Sequence, residues 1–282
     1  MDACDDSGGW AGWLSEQEAS RDETSTGWLD RIAGMVLERA RIASGDTVAD
    51  IGAGAGLLAV EAARMAGPRG KVIAIDSSAA CLAAARAAAQ RSRATNLSTI
   101  QGRIEELPLE DSSCDAVVCR SALIYTSDIS RAVGEIRRVL AQGGRYSVFE
   151  PLAGELEWRM PEGLGGHEDD FAMMERTLKE KRASYSIKRT TLREAFTVAG
   201  LEEPASLVVH FRIALEGKES EDIQDEYLHG LPGELAALSV LRGAMEEERI
   251  VEAAGAFARF ASEGKVSGVL PSMFIWSSRS EE

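Results

Sequence analysis

One acidic residue and a run of glycines stand together near the start of the chain and could bind a charged ligand. Asp50 is followed by Gly52, Gly54 and Gly56 at GxGxG spacing. Glycines after a strand let the backbone turn tightly and approach a ligand without a Cβ in the way. A dinucleotide-binding GxGxxG motif would place its third glycine at Leu57 and would hold a pyrophosphate. Because a carboxylate at Asp50 would repel pyrophosphate and attract a cation, the pattern favours a cationic ligand.

The elements that must position this turn alternate between strands and helices. Short apolar runs predict five strands: Thr47–Ile51, Lys71–Ile75, Leu97–Gln101, Asp115–Cys119 and Arg145–Phe149. Helical spacing of apolar residues predicts a helix between most of them. This alternation is typical of βαβ units and of a parallel sheet covered on both faces. The ligand crevice of such a doubly wound sheet lies at the carboxyl ends of its strands, where the glycine run falls.

The pattern changes after Glu150, and four regions are predicted. Two later strands are expected, at Leu207–Leu215 and Val269–Trp276. Glycines in the stretch after Glu150 give it the backbone freedom of a lid. The predicted regions are a flexible N-terminal segment (1–27), a ligand-binding core (28–150), a lid insertion (151–186) and a C-terminal part of the sheet (187–282) with a helical insertion (219–264).

Five motifs in order carry a resemblance to a known family. They are Asp50–Gly56 (DxGxGxG), Asp76 after the second strand, Gly102–Pro108, Asp115–Val118 and Leu140–Arg145. The chain resembles the class I methyltransferases, the broad family that includes the quinone-biosynthesis C-methyltransferases. The resemblance covers roughly residues 28–150. It implies an α/β fold with a doubly wound, seven-stranded, mostly parallel Rossmann-like sheet and helical insertions that form a lid.

The resemblance also implies a cofactor, S-adenosylmethionine, with S-adenosylhomocysteine as product and no metal. Asp76 matches the acid that accepts hydrogen bonds from the ribose hydroxyls, although it could instead only cap the next helix. Arg103 replaces the acid that usually meets the adenine amino group, so adenine would rest on backbone groups and on Ile104. The expected cofactor-binding residues are Asp50, Gly52, Ala53, Gly54, Gly56, Asp76, Ser77, Arg103, Ile104 and Arg120.

Few residues could serve as a general base for the methyl acceptor. His167 follows a glycine-rich stretch in the lid, and Tyr125 follows the fourth strand; these two are the predicted catalytic residues. Glu150 ends the fifth strand and should also open on the crevice. His210, on a predicted edge strand, and His229, near a helix end, are better explained as surface residues.

Composition limits the partners. A net charge of −15 disfavours nucleic acid, because nucleic-acid affinity depends largely on basic residues. A small-molecule acceptor that receives the methyl group on oxygen, nitrogen or carbon is therefore expected. No targeting signal and no membrane span are predicted, and a homodimer is compatible with the sequence. The four cysteines match no zinc, redox or arsenic-binding arrangement, which favours reduced thiols in the cytoplasm.

Two alternatives stay open. The first is a fold that binds S-adenosylmethionine but has been repurposed for chemistry without methyl transfer. The second is a nicotinamide-dependent oxidoreductase, which the GxGxG spacing and Asp50 disfavour. Measuring the binding of each cofactor and the turnover of S-adenosylmethionine would separate these two alternatives from a methyltransferase.

Overall fold

The computed structural model describes residues 27–161, 163–229 and 236–280, and these form an α/β fold. The predicted flexible segment 1–27 lies outside the described residues, apart from Gly27. The described helices are α1 (Gly27–Ala40), α2 (Leu57–Ala66), α3 (Ala79–Arg91), α4 (Ile129–Val139), α5 (Glu168–Tyr185), α6 (Arg189–Val198), α7 (Ser220–His229), α8 (Ala237–Leu241) and α9 (Glu247–Ser262).

Eight strands form the described part of the sheet, one more than the seven predicted. They are β1 (Thr47–Ile51), β2 (Lys71–Asp76), β3 (Leu97–Gln101), β4 (Cys114–Arg120), β5 (Leu140–Pro151), β6 (Glu157–Arg159), β7 (Ala205–Ala214) and β8 (Ser267–Ser278). The additional strand is β6. Three residues are too few to show a period of two, so the sequence gives no signal for it. The mostly parallel α/β class is confirmed.

Local sequence explains the elements that carry the candidate site. Strands β1 and β2 are mostly apolar and their central residues are buried, as expected of parallel strands covered on both faces. Ser78 caps α3, since its side chain accepts a hydrogen bond from the amide of Cys81. Asp128 caps α4 in the same way through the amide of Arg131. Helix α2 ends where Gly67 adopts a positive φ of 67°.

The chain divides into two compact units. The first contains the described residues up to Glu150, Arg189–Leu207 and the described residues from Met273 onward. Its strand order is β3-β2-β1-β4-β5-β8, and β1 pairs in parallel with both β2 and β4. The chain reverses its direction of winding between β1 and β4. Ligands bind open α/β sheets at such a switch point, beyond the carboxyl ends of the strands.

The second unit contains Pro151–Lys188 and Val208–Ser272. Strand β6 pairs antiparallel with the start of β8, and β7 also pairs with β8. Aromatic rings form the centre of its core: Phe171 stacks on Phe257 at 5.1 Å between centroids, and Trp158 meets Phe257 edge-on, also at 5.1 Å. Such pairs stabilise a core beyond the area that they bury.

Candidate cofactor site and active site

The glycine turn after β1 depends on conformations that favour glycine. Gly52, Gly54 and Gly56 have φ values of 68°, 53° and 93°. The amides of Gly52 and Ala53 both donate to the carbonyl oxygen of Ile75, at 2.8 and 2.9 Å. A Cβ on Gly52 would lie 2.3 Å from the Cβ of Ala122, so a larger residue cannot fit without movement. The turn is therefore fixed against the end of β2 and the residues after β4.

Asp76 joins this turn to the next helix. Its Oδ2 accepts a hydrogen bond from the amide of Gly54, and its Oδ1 accepts one from the amide of Ser78, both at 2.9 Å. The cap of α3 is Ser78 rather than Asp76, so the alternative explanation of Asp76 as only a helix cap is wrong. The side chain is half-buried, and each carboxylate oxygen can still accept another hydrogen bond.

Asp50 is a buried acid whose carboxylate oxygens form no hydrogen bond with the described residues. It is 1% exposed. Burial raises the pKa of Asp50 to about 7, against the opposing effects of the positive charge on Arg120 and of the nearby backbone amide of Ala59. A buried carboxylate without partners is costly, and a cationic group would relieve the cost. This site therefore suits the cationic ligand that the sequence predicts.

Arg120, at the end of β4, is half-buried between acidic groups. Burial lowers the pKa of Arg120, whereas the negative charges of Asp50 and Glu150 and the phenol of Tyr125 raise it. The charge of the guanidinium is therefore coupled to that of Asp50 and of Glu150. The predicted cofactor residue Arg120 thus lies with Asp50 at the carboxyl ends of adjacent strands.

Glu150 has a role that the sequence did not reveal. It is fully buried, and its Oε1 accepts hydrogen bonds from the amides of Ala122 at 3.0 Å and Leu123 at 2.8 Å. Its Oε2 has no partner among the described residues. Burial raises the pKa of Glu150 to about 8, although the hydrogen bonds from Leu123 and Ala122 oppose the rise. The expectation that Glu150 opens on the crevice is therefore wrong, because the backbone after β4 covers it.

The loop after β3 lies beside Asp76. The amide of Gly102 donates to the carbonyl oxygen of Asp76 at 3.1 Å. Arg103 is exposed and its Nε lies 3.5 Å from Oε2 of Glu105, while Ile104 is half-buried. The Arg103 side chain is therefore directed toward Glu105, and an adenine contact through its backbone stays a prediction.

The two predicted catalytic residues fall in different units. Tyr125 ends a short 3-10 turn (Leu123–Tyr125) in the first unit and is 45% exposed. His167 directly precedes α5 in the second unit, and its carbonyl oxygen accepts a hydrogen bond from the amide of Phe171 at 2.9 Å. All of the predicted cofactor residues, including the exposed Ser77, lie in the first unit with Tyr125.

Within the described residues, no group of three or more His, Cys, Asp or Glu side chains is arranged to hold a metal ion. Cys81, Cys114 and Cys119 are free and buried. None of the described helices combines the length and the apolar composition that crossing a membrane requires.

The first unit thus has the features of a class I, Rossmann-like cofactor-binding domain: a switch point between β1 and β4, a glycine turn, and acids at the ends of β1 and β2. Residues 49–148 match the family described as "Methyltransferase domain". Residues 49–148 are therefore similar to a methyltransferase domain, in agreement with the predicted resemblance and with S-adenosylmethionine as the cofactor.

Relatives agree with this assignment. The chain is 34% identical over 122 residues to the uncharacterized methyltransferase YcgJ of Bacillus subtilis, covering 43% of this chain and 47% of YcgJ. It is 33% identical over 117 residues to the ubiquinone/menaquinone biosynthesis C-methyltransferase UbiE of Hahella chejuensis, covering 41% of this chain and 47% of UbiE. The matches span about half the length of these relatives.

Similarity to a solved structure extends further along the chain. The crystal structure of the Bacillus subtilis YcgJ protein superposes with a TM-score of 0.57 and 21% sequence identity. It covers 89% of this chain and 99% of the YcgJ chain. At this level of identity the likeness shows the fold, which includes elements outside residues 49–148.

Proposed function

We propose that the protein transfers the methyl group of S-adenosylmethionine to an oxygen, nitrogen or carbon atom of a small-molecule acceptor. The observation that carries the proposal is Asp50, a buried carboxylate at the end of β1 and beside a glycine turn, which has no hydrogen-bond partner among the described residues. A cation placed there would offset the cost of burying the carboxylate. The methyltransferase domain at residues 49–148 supports the same conclusion.

When bound, S-adenosylmethionine supplies an electrophilic methyl group on a positively charged sulfur. The negative charge of Asp50 would attract the ammonium and sulfonium groups of the cofactor. Asp76 would accept hydrogen bonds from the ribose hydroxyls, because its carboxylate is already oriented by the amides of Gly54 and Ser78. The backbone of Arg103 and the side chain of Ile104 would contact adenine. The glycine turn lets the backbone approach the cofactor closely.

Methyl transfer needs alignment more than acid–base chemistry, since the methyl group is already activated. The protein would align the acceptor with the methyl group and exclude water. Where the acceptor must lose a proton, a positioned base contributes roughly 10²–10⁴-fold. We assign this role to Tyr125 or His167. Glu150 is a poor candidate for this base, because it is fully buried and accepts hydrogen bonds from two backbone amides.

The acceptor is proposed to be a small molecule. The relative UbiE bears a name that places its activity in quinone biosynthesis, so quinone precursors belong among the acceptors to be tested. The net charge of −15 disfavours nucleic acid. A cytoplasmic location is supported by the free thiols of Cys81, Cys114 and Cys119, since disulfides are rare in reducing compartments.

Two measurements test the proposal. The first is calorimetric titration with S-adenosylmethionine, S-adenosylhomocysteine and NAD; binding of NAD without S-adenosylmethionine would overturn it. The second is incubation with S-adenosylmethionine and an acceptor library, with mass spectrometric detection of S-adenosylhomocysteine and of acceptors heavier by one methylene. Tight cofactor binding without turnover across the library would favour the repurposed fold. Native mass spectrometry of the purified protein would show whether a ligand accompanies it.

A further inference from the structure

The segment that carries Tyr125 is held at both ends by carboxylates from other parts of the first unit. We call residues 121–128, between β4 and α4, the β4 loop. At its start, Oε1 of Glu150 accepts hydrogen bonds from the amides of Ala122 and Leu123. At its end, the hydroxyl of Thr126 donates to Oε1 of Glu105 at 2.5 Å. Tyr125 lies between these two attachments.

The start of the loop is in a backbone conformation that must be held. Ser121 has a φ of 55°, in the left-handed region that few residues other than glycine occupy. Its amide donates to the carbonyl oxygen of Phe149 at 2.8 Å, next to Glu150. Strained residues of this kind persist only where their surroundings fix them, and they cluster at functional sites. The strand β5 and Glu150 provide that fixation.

The end of the β4 loop is joined to the loop after β3, which is predicted to contact the cofactor. Glu105 belongs to the loop that contains Arg103 and Ile104, and its side chain is 12% exposed. Its carbonyl oxygen accepts a hydrogen bond from Nε of Arg131 in α4 at 2.8 Å. Thr126 also accepts a hydrogen bond from the amide of Asp128 at 3.1 Å. The hydroxyl of Thr126 thus links the β4 loop to the loop after β3, which contains the predicted adenine contacts Arg103 and Ile104.

We propose that Glu150 and Glu105 are positioning residues that fix Tyr125 within the β4 loop for methyl transfer. The proposal rests on the proposed function in that it gives Tyr125 a place at the acceptor. Glu150 acts through Ala122 and Leu123, and Glu105 acts through Thr126. Neither carboxylate needs to touch the acceptor, and both are separated from the loop by more than twenty positions in the chain.

The test uses two matched pairs of variants and a signal from Tyr125 itself. Glu150→Leu removes the acceptor of two amides while filling a similar volume, and Glu150→Gln keeps an acceptor oxygen. Thr126→Val removes the hydroxyl, and Thr126→Ser keeps it. The full chain is labelled with 3-fluorotyrosine, which gives four ¹⁹F resonances from its four tyrosines. The resonance of Tyr125 is assigned with Tyr125→Phe.

We expect the Tyr125 resonance to move toward that of free fluorotyrosine in Glu150→Leu and Thr126→Val, and to stay in place in Glu150→Gln and Thr126→Ser. The amide of Leu123 should exchange with deuterium at least about tenfold faster in Glu150→Leu. The resonance of Tyr146, fully buried and stacked on Phe196, reports whether the fold survives. An unmoved Tyr125 resonance in Thr126→Val, or in a folded Glu150→Leu, overturns the proposal for that end of the loop. An equal shift in the matched conservative variant, Glu150→Gln or Thr126→Ser, also overturns it.

These readouts do not depend on methyl transfer, so they stand if the proposed function fails. Once an acceptor is found, kcat should fall at least about tenfold in Glu150→Leu while the KM for S-adenosylmethionine changes less than about threefold. A rise in that KM with kcat unchanged would show that Glu150 serves cofactor binding and not the position of Tyr125.

Discussion

The amide of Gly54 donates a hydrogen bond of 2.9 Å to Oδ2 of Asp76, across 22 positions of the chain. Because Oδ1 of the same carboxylate accepts from the amide of Ser78, Asp76 joins the ends of β1 and β2. The carboxylate is therefore oriented before any ligand arrives. Orientation in advance reduces the entropy that binding must overcome.

Replacing Asp76 should weaken cofactor binding. In Asp76→Ala, two charge-assisted hydrogen bonds to the ribose, each worth roughly 1.5–3 kcal/mol, would be lost. We expect the affinity for S-adenosylhomocysteine, measured by calorimetry, to fall at least about tenfold. Asp76→Asn, which keeps one acceptor oxygen, should lose less.

Asp111→Ala is the matched control, since Asp111 is exposed and its ion pair is with Arg138, far from the glycine turn in the chain. Surface ion pairs contribute little, so its affinity should equal that of the unmodified protein. Unchanged affinity in Asp76→Ala would mean that Asp76 only supports the glycine turn.

Adding a single methyl group to Gly52 should disturb the glycine turn. The new Cβ would lie 2.3 Å from the Cβ of Ala122, and alanine is strained at a φ of 68°. We expect Gly52→Ala to lower both the melting temperature and the affinity for S-adenosylhomocysteine. Adding Ala122→Gly removes the clash and should restore part of both losses.

A second glycine provides the control. Gly34 lies within α1, and a Cβ added there would meet nothing within 4 Å. Gly34→Ala should stabilise the protein by about 0.5–1 kcal/mol, because alanine favours helix more than glycine does. If Gly52→Ala behaved like Gly34→Ala in thermal unfolding and calorimetry, the close contact with Ala122 would not be a constraint.

The sequence predicted the parts of the site that depend on local pattern. The glycine turn and the acids Asp50 and Asp76 lie at strand ends, and the apolar runs before them mark those strands. The roles of Glu150 and Glu105 could not be predicted, because their partners in the β4 loop are 21 to 28 positions away. Long-range hydrogen bonds leave no periodic signal in a single sequence.

The burial of Glu150 shows the same limit. A glutamate after an apolar strand is usually exposed, so the sequence predicts that Glu150 opens on the crevice. The structure places the backbone of Ala122 and Leu123 over it, and two amides compensate the buried carboxylate. That arrangement follows from the turn at Ser121, directly after β4, where the positive φ is not predicted by the residue type.

The lid prediction concerns residues 151–170 of the second unit. Leu164 is buried and its amide donates to Oε1 of Glu168, whereas Gly165 and Gly166 have open space around them. We expect the amide hydrogens of Gly165 and Gly166 to exchange quickly without ligand and more slowly when S-adenosylhomocysteine is added. The amide of Leu164 should exchange slowly in both states. Exchange measured by mass spectrometry checks this. Equal exchange in both states, with full activity of His167→Ala, would leave Tyr125 as the candidate base.

Cofactor affinity should depend on pH through Asp50, whose pKa burial raises to about 7. A cation binds the ionised carboxylate better than the protonated one, so the affinity for S-adenosylmethionine should rise with pH and level off above the pKa of Asp50. Arg120 opposes the rise in pKa and Asp76 adds to it, and both face the group from neighbouring strands. By linkage, affinity at pH 6 should be about tenfold weaker than at pH 8.

The dependence should be steeper for S-adenosylmethionine than for S-adenosylhomocysteine, which lacks the positive charge on sulfur. Asp50→Asn cannot ionise, so its affinity for S-adenosylmethionine should be weak and nearly constant from pH 6 to pH 8. Glu150→Gln separates the two buried acids: if Glu150, with its pKa of about 8, controlled binding, this variant would flatten the profile instead. Calorimetric titration with both ligands at pH 6, 7 and 8 decides which of the two acids controls the pH dependence. Parallel profiles for the two ligands, or an unchanged slope in Asp50→Asn, would show that Asp50 does not recognise the charge on sulfur.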